Sequence, residues 1–155
     1  MKNNIGLDTQ KSQELAGMLN DLLANYQIFY QNLRGFHWNV KGNKFFELHL
    51  KFEELYNDAV LKIDEVAERI LTLQGVPLHT FEAYLKKSTI QSVEKEKVDG
   101  SIVSTIIENF SILISKERAI LSTAAEAGDE GTVSNMSDYI TQTEKTVWML
   151  NAYLG

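Results

Sequence analysis

Hydrophobic residues recur along most of this chain at steps of three, four and one, the spacing of an apolar stripe on an amphipathic helix. The first such stretch begins between Asp8 and Ser12 and breaks at residues 39–43, where Gly and Asn mark a turn. A second stretch runs from about Phe45 to Leu73 and stops before Gly75 and Pro77. The pattern therefore predicts two long helices joined by a short turn.

The second half of the chain repeats this arrangement after a long connection at residues 75–99. A short helix is expected around Thr80–Lys87, and the polar remainder of the connection is expected to cross the outside of the molecule. A third long helix starts near residues 99–101 and stops at 127–131, and a fourth follows it, with Thr132 as its expected cap. Two helical hairpins joined by a long crossover predict an all-α, ferritin-like four-helix bundle with a short extra helix between helices two and three.

Composition agrees with one globular domain spanning residues 1–155, since 44% of the residues are hydrophobic and 23% are charged. A net charge of −6 disfavours indiscriminate binding to nucleic acid, which needs basic clusters. The absence of cysteine excludes disulfide frameworks and thiolate metal sites. The N-terminus carries no apolar signal segment, and no apolar run is long enough to span a bilayer. We therefore expect a soluble cytoplasmic protein with no membrane association.

Candidate metal ligands concentrate between residues 37 and 68. Imidazole nitrogens and carboxylate oxygens are ligands for iron, manganese and zinc. His37 lies six positions before the turn at Asn43 and His49 lies six after it, so an antiparallel hairpin brings the two imidazoles level. Glu53 follows His49 by one helical turn, and Asp64 and Glu68 form a second pair one turn apart.

Axial distance divides these ligands into two groups. His49 and Asp64 are fifteen residues apart, which is roughly 22 Å along one helix at about 1.5 Å per residue. Metal–ligand bonds are only about 2 Å long. Either the groups are unrelated, or the histidine pair of one subunit meets the carboxylate pair of another across a two-fold axis near the middle of the second helix.

Simpler explanations apply to each residue taken alone. A single histidine on an apolar stripe is more often a hydrogen-bonded core residue than a ligand. Asp64 and Glu68 fit a solvated helix face, or Glu68 pairs with Arg69 or Lys62. The aromatic residues nearby are most economically explained as core or interface packing, and His79 as a surface or structural residue. The aromatic residues are Trp38, Phe45, Phe46, Phe52 and Tyr56.

Two sequence motifs contain these candidate ligands: residues 37–42 (HWNVKG), followed by His49 and Glu53, and residues 63–69 (IDEVAER). They resemble the first and second signatures of the Dps family (DNA-binding proteins from starved cells). Residues 127–129 (AGD), with Thr132 and then Trp148, are also similar. The resemblance covers almost the whole chain.

That resemblance implies an intersubunit ferroxidase site with two iron positions. His37 and His49 match the histidines that one subunit contributes, and Asp64 and Glu68 match the carboxylates of its two-fold partner. Glu53 matches an auxiliary acidic ligand. The family forms a hollow homododecamer that oxidises Fe(II), preferentially with hydrogen peroxide, and stores Fe(III). Other divalent metals such as zinc are expected to compete.

Two related classes of protein, ordinary ferritins and DNA-protecting cages, are alternatives to this interpretation. Ordinary ferritins use Glu-x-x-His pairs inside each bundle, and this chain has no Glu-x-x-His. A DNA-protecting cage is the alternative function, but neither end resembles a polybasic arm, so DNA binding is expected to be absent or weak. A modest basic patch in the connection fits solvation better than a DNA surface; it consists of Lys86, Lys87, Lys95 and Lys97.

An iron entry pore and a solvated loop remain equal interpretations of the acidic third turn, which carries Glu126, Asp129 and Glu130, with Asp138 on the helix beyond it.

Overall fold

A computed structural model describes residues 1–95, 98 and 101–155, and within them the chain forms five helices. They are α1 (Thr9–Asn39), α2 (Phe45–Thr72), α3 (Phe81–Lys87), α4 (Ile102–Ala127) and α5 (Glu130–Leu154). Helix α1 packs against α2, α4 and α3, and α4 packs against α5. The predicted four-helix bundle with a short extra helix in the crossover is confirmed.

Local capping explains where the helices begin and end. The Asp8 carboxylate accepts the backbone N–H of Lys11 at 3.0 Å, and the Ser101 hydroxyl accepts that of Val103 at 3.1 Å. Residues 99 and 100, where the third long helix was also expected to start, lie outside the described residues. At the other end of α4, Gly128 adopts a φ of +70°, a left-handed conformation that glycine takes without steric cost.

The expected cap of α5 is wrong by one turn. Asp129, rather than Thr132, is the capping residue, and its carboxylate accepts the Thr132 backbone N–H at 3.1 Å. Thr132 is fully buried within the first turn of the helix. Because Gly128 ends α4, the chain has only one residue left before α5 begins, and Asp129 takes the capping position.

The core lies between the four long helices, and its largest members come mainly from α1. Phe29 packs edge-on against Phe110 of α4, and Phe36 packs against Phe52 of α2, with ring centroids 4.8 and 6.4 Å apart. These contacts fix the distance between α1 and its neighbours. No helix in the described part of the chain is long and apolar enough to cross a membrane.

Two buried asparagines of α1 anchor the crossover connection. The Asn25 side-chain oxygen accepts the backbone N–H groups of Thr89 and Ile90 at 3.0 and 2.9 Å. Asn32 similarly accepts the N–H of Val93 at 3.0 Å. Ile90 is only 2% exposed and packs into the bundle, while the polar residues on either side of it (Thr89, Gln91, Ser92 and Glu94) are exposed on its outside. Lys97 of the expected basic patch lies outside the described residues.

Candidate metal centre

The hairpin of α1 and α2 brings His37 and His49 into direct contact. Their rings stack with centroids 3.7 Å apart and an interplanar angle of 14°. His37 is buried and His49 is half-buried. The prediction that the turn places both imidazoles at one level is confirmed.

Reciprocal hydrogen bonds fix the tautomer of each imidazole. His37 Nδ1 donates to the His49 carbonyl oxygen at 2.6 Å, and His49 Nδ1 donates to the His37 carbonyl oxygen at 2.8 Å. A carbonyl oxygen only accepts, so each Nδ1 carries the hydrogen and each neutral ring keeps its lone pair on Nε2. The His37 carbonyl is also one of the last four of α1, which have no partner within the helix. The arrangement thus completes the end of α1 and presents two nitrogen ligands of fixed orientation.

Aromatic rings hold the histidine pair from two sides. Phe45 stacks on His49 at 4.9 Å, and Tyr56 meets His37 edge-on at 5.3 Å between ring centroids. The Tyr56 hydroxyl donates to the Glu53 carboxylate at 3.4 Å. Desolvation, followed by the negative charge of Glu53, raises the pKa of Tyr56 above its usual range. Glu53 is therefore linked to the histidines through Tyr56.

The carboxylates of Asp64 and Glu68 form a separate, exposed pair on α2. A hydrogen bond between them, together with their like charges, raises the pKa of Glu68. The suggested pairing of Glu68 with Arg69 or Lys62 is wrong, because Arg69 binds Asp129 and Lys62 binds Asp58. Neither member of the pair has a cationic partner among the described residues. Like charges one turn apart repel, so a bound cation would stabilise this surface.

His49 and both carboxylates of the second group lie on one unbroken helix, while His37 belongs to α1. Helix α2 runs continuously through His49 and Asp64, so the separation of roughly 22 Å expected from helical rise holds. Within residues 1–95, 98 and 101–155, no cluster of three or more His, Asp or Glu side chains is placed to hold a metal ion. A single chain thus presents two partial ligand sets.

The remaining candidate residues fall into different environments. Trp38 is 56% exposed beside His37, with the Arg34 guanidinium 4.8 Å from the centre of its ring. His79 is exposed, and its Nδ1 lies 3.2 Å from the Pro77 carbonyl oxygen, well along the chain from the histidine pair. His79 therefore agrees with the surface role expected of it, whereas the exposure of Trp38 excludes core packing within the chain.

The acidic residues of the third turn differ in their contacts and exposure. Asp129 is only 2% exposed and binds the Arg69 guanidinium at 2.5 Å, so it serves the fold and is not a free pore-lining carboxylate. Glu126 and Glu130 are exposed on either side of it. Asp138 is exposed on α5, in a polar groove that α5 forms with α2.

Sequence reasoning missed two ionisable residues inside the bundle. Glu117 of α4 is fully buried, and Lys62 of α2 is 5% exposed. Burial raises the pKa of Glu117 to about 7, although a hydrogen bond from Tyr26 and the charge of Lys62 both act in the opposite direction. Glu117 follows the apolar Leu113 by four residues, so its position on the buried stripe was a usable signal.

Comparison with known proteins finds a matching family model and relatives that cover almost the whole chain. The model of the ferritin-like domain family matches residues 16–155. An uncharacterized protein of Haemophilus influenzae is 50% identical over 97% of this chain and 94% of its own. A DNA protection during starvation protein of Porphyromonas gingivalis is 45% identical over 96% of this chain and 93% of its own.

The chain also resembles a solved structure over almost its whole length. The DPS protein of Vibrio cholerae, described as a member of a broad superfamily of ferritin-like diiron-carboxylate proteins, is 57% identical to this chain. Its structure superposes with a TM-score of 0.95, over 99% of this chain and 97% of that one.

Proposed function

The chain belongs to the Dps family of ferritin-like proteins, and on that basis we propose that it is an iron-oxidising and iron-storing mini-ferritin. In this proposal it is a ferroxidase that oxidises Fe(II) with hydrogen peroxide and stores Fe(III) inside a hollow homododecamer. The cytoplasm is the proposed compartment, since reducing conditions there keep iron as Fe(II). The observation that carries the proposal is the pair of complementary half-sites on the α1–α2 hairpin.

Each half-site has the chemistry that the other lacks. The histidine pair presents two nitrogen lone pairs at Nε2, and the Asp64–Glu68 pair presents carboxylate oxygens that have no cationic partner in the part of the chain that the structure describes. Two antiparallel copies of α2 that cross near residue 57 would bring the histidine pair of one chain to the carboxylate pair of the other. A two-fold contact of this kind makes two equivalent sites for each pair of subunits.

The exposed face of α2 supports such a contact. Positions 46, 50, 53, 57, 61, 64, 68 and 71 are separated by steps of three or four, so they share one side of the helix. Phe46 is 85% exposed and Leu61 65% exposed, although both are large apolar residues. Exposed apolar residues grouped along one face, with charged ligands among them, are typical of a protein–protein interface. Asn57 lies at the centre of this face, between His49 and Asp64.

The proposed chemistry follows from the ligand set. Carboxylates of Asp64 and Glu68 neutralise a hard cation, while imidazoles suit Fe(II) and leave positions open to an oxidant. A second Fe(II) held near Glu53 allows two ions to give one electron each to one peroxide. With two protons, the peroxide then becomes two water molecules, and no hydroxyl radical is released. His37, His49, Asp64 and Glu68 are the proposed catalytic residues, with Glu53 as a further metal ligand.

Anaerobic titration with Fe(II), followed by addition of peroxide, tests this function. The wild-type protein should bind iron without oxygen, oxidise it rapidly when peroxide is added, and keep the product soluble. A variant carrying both His49→Ala and Asp64→Ala should lose rapid oxidation at subsaturating iron. His79→Ala is a matched control, because it removes an exposed histidine that lies outside both half-sites. Zn(II) added before iron should slow the wild-type reaction.

Equal rates for the double variant and the wild type would show that the proposed residues are not the site. A protein that sediments only as a monomer would also rule out a site shared by two chains.

Protection of DNA is the second candidate, because relatives carry that name and Lys86 and Lys87 are exposed at the end of α3. An electrophoretic shift assay at low salt distinguishes it. We expect weak binding or none, since the net charge of the chain is −6. A clear shift with full-length protein would contradict that expectation.

A further inference from the structure

Four side chains in contact form a row that runs from the surface of α2 into the core of the bundle. The row starts at Glu65, an exposed carboxylate that accepts the Tyr139 hydroxyl of α5 at 2.5 Å. The Tyr139 ring meets the Tyr26 ring of α1 edge-on, with centroids 6.4 Å apart. The Tyr26 hydroxyl then donates to the Glu117 carboxylate of α4 at 2.5 Å. The row ends there, because the other carboxylate oxygen of Glu117 has no hydrogen-bond partner among the described residues.

The inner pair of this row, Tyr26 and Glu117, is closed to solvent. Tyr26 is 2% exposed, and Glu117 is 0% exposed. Burial and the negative charge of Glu117 raise the pKa of Tyr26 well above its usual range, so the hydroxyl keeps its proton. Burial also raises the pKa of Glu117 to about 7, so its carboxylate holds a proton more firmly than an exposed carboxylate does. The pair thus joins a protonated phenol to a base that can take its proton.

This pairing meets the requirement for oxidising a tyrosine. A phenol that loses an electron becomes a very strong acid, so the electron leaves readily only where a hydrogen-bonded base accepts the proton. Tyr84 is also buried, but its hydroxyl donates to the Leu78 carbonyl oxygen, which is not a base. The Tyr56 hydroxyl lies 3.4 Å from the Glu53 carboxylate, which is a long hydrogen bond. The geometry around Tyr26 is therefore better suited to this chemistry.

The position of Lys62 favours Tyr26 over Tyr139 as the tyrosine that is oxidised. The Lys62 ammonium lies 5.3 Å from the centre of the Tyr139 ring. A cation is attracted to the electron density of an aromatic face, so it opposes the removal of an electron from that ring. The same charge favours the ionised form of Glu117, which is the form that accepts a proton. An electron lost first from Tyr139 should therefore be replaced by one from Tyr26.

We propose that Tyr26 and Glu117 form a redox-active pair that reduces strong one-electron oxidants such as the hydroxyl radical. Tyr26 gives one electron, by way of Tyr139, to the oxidant, and a hydroxyl radical becomes hydroxide. The O–H bond of Tyr26 breaks, and its proton forms a new O–H bond with the Glu117 carboxylate. A neutral tyrosyl radical remains, and its burial prevents it from coupling with a tyrosine of another molecule.

The connection of this pair to iron rests on the proposed function. A hydroxyl radical forms when a single Fe(II) gives one electron to peroxide, and Glu65 lies beside the Asp64–Glu68 pair, where its charge acts on Glu68. A further Fe(II) then returns one electron to the Tyr26 radical, and Glu117 returns the proton. In sum, one hydroxyl radical and one Fe(II) become hydroxide and Fe(III), and the pair is restored.

Pulse radiolysis of the iron-free, full-length protein in azide solution tests the pair without ferroxidase chemistry. The azide radical takes one electron from accessible aromatic side chains, including the exposed Trp38 and Trp148, and becomes azide. At pH 8, which is above the pKa of Glu117, we expect tryptophanyl absorption to decay as tyrosyl absorption appears. Electron paramagnetic resonance of freeze-quenched samples should then show one dominant, long-lived tyrosyl radical.

Three single variants identify the residues that form the radical. Tyr26→Phe removes only the hydroxyl and should abolish the long-lived signal. Glu117→Gln should also abolish it, because an amide accepts the Tyr26 hydrogen bond but does not take the proton. A merely structural role of Glu117 would leave the radical unchanged in this variant. Tyr84→Phe is the matched control, since it removes the hydroxyl of another buried tyrosine and should leave the yield unchanged.

A long-lived radical of unchanged yield in Tyr26→Phe or in Glu117→Gln would overturn the proposal, as would its absence from the wild type. If Tyr26→Phe does not fold, Glu117→Gln decides alone, because removing a buried charge should not destabilise the protein at pH 8. Fe(II) oxidation is measured separately and needs no azide. A failure of the ferroxidase proposal therefore leaves this result interpretable, and the reverse also holds.

Discussion

Replacing Glu117 with glutamine should change how the stability of the protein depends on pH. The pKa of Glu117 is about 7 in the folded protein, compared with a usual value of 4.5. Between these two values the folded chain binds a proton that the unfolded chain has released. Stability therefore falls as pH rises through this window, and the loss is complete above pH 7.

The size of this effect follows from the difference in pKa. A rise of about 2.5 units corresponds to about 3 kcal/mol of stability lost above pH 7, at about 1.4 kcal/mol per unit. Glu117→Gln keeps an acceptor for the Tyr26 hydroxyl and has no proton to lose. We expect it to match the wild type near pH 4.5 and to exceed it at pH 8. The gain in melting temperature should be roughly 5–10 °C for a chain of this length.

Thermal unfolding followed by circular dichroism between pH 4.5 and 8 measures this difference at each pH. Glu108→Gln, at an exposed position on the same helix, is the matched control and should follow the wild-type curve. Parallel curves for Glu117→Gln and the wild type over the whole range would refute the reasoning. They would mean that Glu117 is ionised in the folded protein across this range.

Three other substitutions test the contacts that shape the molecule. Gly131→Ala should destabilise the fold by about 1–2 kcal/mol in urea unfolding, since its Cβ would lie 2.8 Å from the Arg69 guanidinium. Asn25→Ala should cost about 2–4 kcal/mol and speed amide exchange at Ile90, because it leaves two backbone N–H groups without their acceptor. Leu61→Glu should reduce both assembly and iron oxidation, measured by sedimentation and by peroxide-driven turnover, because it places like charges near the proposed two-fold axis.

Two of these substitutions have a matched control. Gly17→Ala meets no atom within 4 Å, so it should be tolerated where Gly131→Ala is not. Leu154→Glu changes an exposed apolar residue away from the α2 face and should leave assembly intact. Normal assembly of Leu61→Glu would remove the apolar face of α2 from the proposed interface. Unchanged exchange at Ile90 in Asn25→Ala would show that the connection does not depend on this anchor.

The fold was predictable because its signals are periodic and local. Asp8, Gly42 and Gly128 mark three helix boundaries, and each belongs to a residue type with a physical reason to be there. The cap of α5 was misplaced because Asp129 and Thr132 are both good capping residues. Only the position of Gly128 in the folded chain decides between them. The anchoring of the connection by Asn25 could not be predicted from the sequence, because hydrogen bonds between distant segments leave no periodic signal.

The candidate metal centre was likewise predictable only in the features that follow from local spacing. The meeting of His37 and His49 followed from the symmetry of one hairpin, but their tautomers did not. The direction of each Nδ1–H depends on where the opposite carbonyl oxygen points, which is set by helix packing. Glu117 and Lys62 were missed because charged residues are rarely expected on a buried stripe.

The central claim is that one ferroxidase site is made from two chains, and co-assembly of two inactive variants tests it most directly. Homo-oligomers of His49→Ala and of Asp64→Ala should each lose rapid iron oxidation. Unfolding and refolding the two variants together at equal amounts makes half of the two-fold pairs mixed, and each mixed pair carries one site with all of its ligands. The account predicts recovery of about a quarter of the wild-type rate, with no recovery when each variant is refolded alone. Absence of recovery in assembled mixtures would contradict a site shared between subunits.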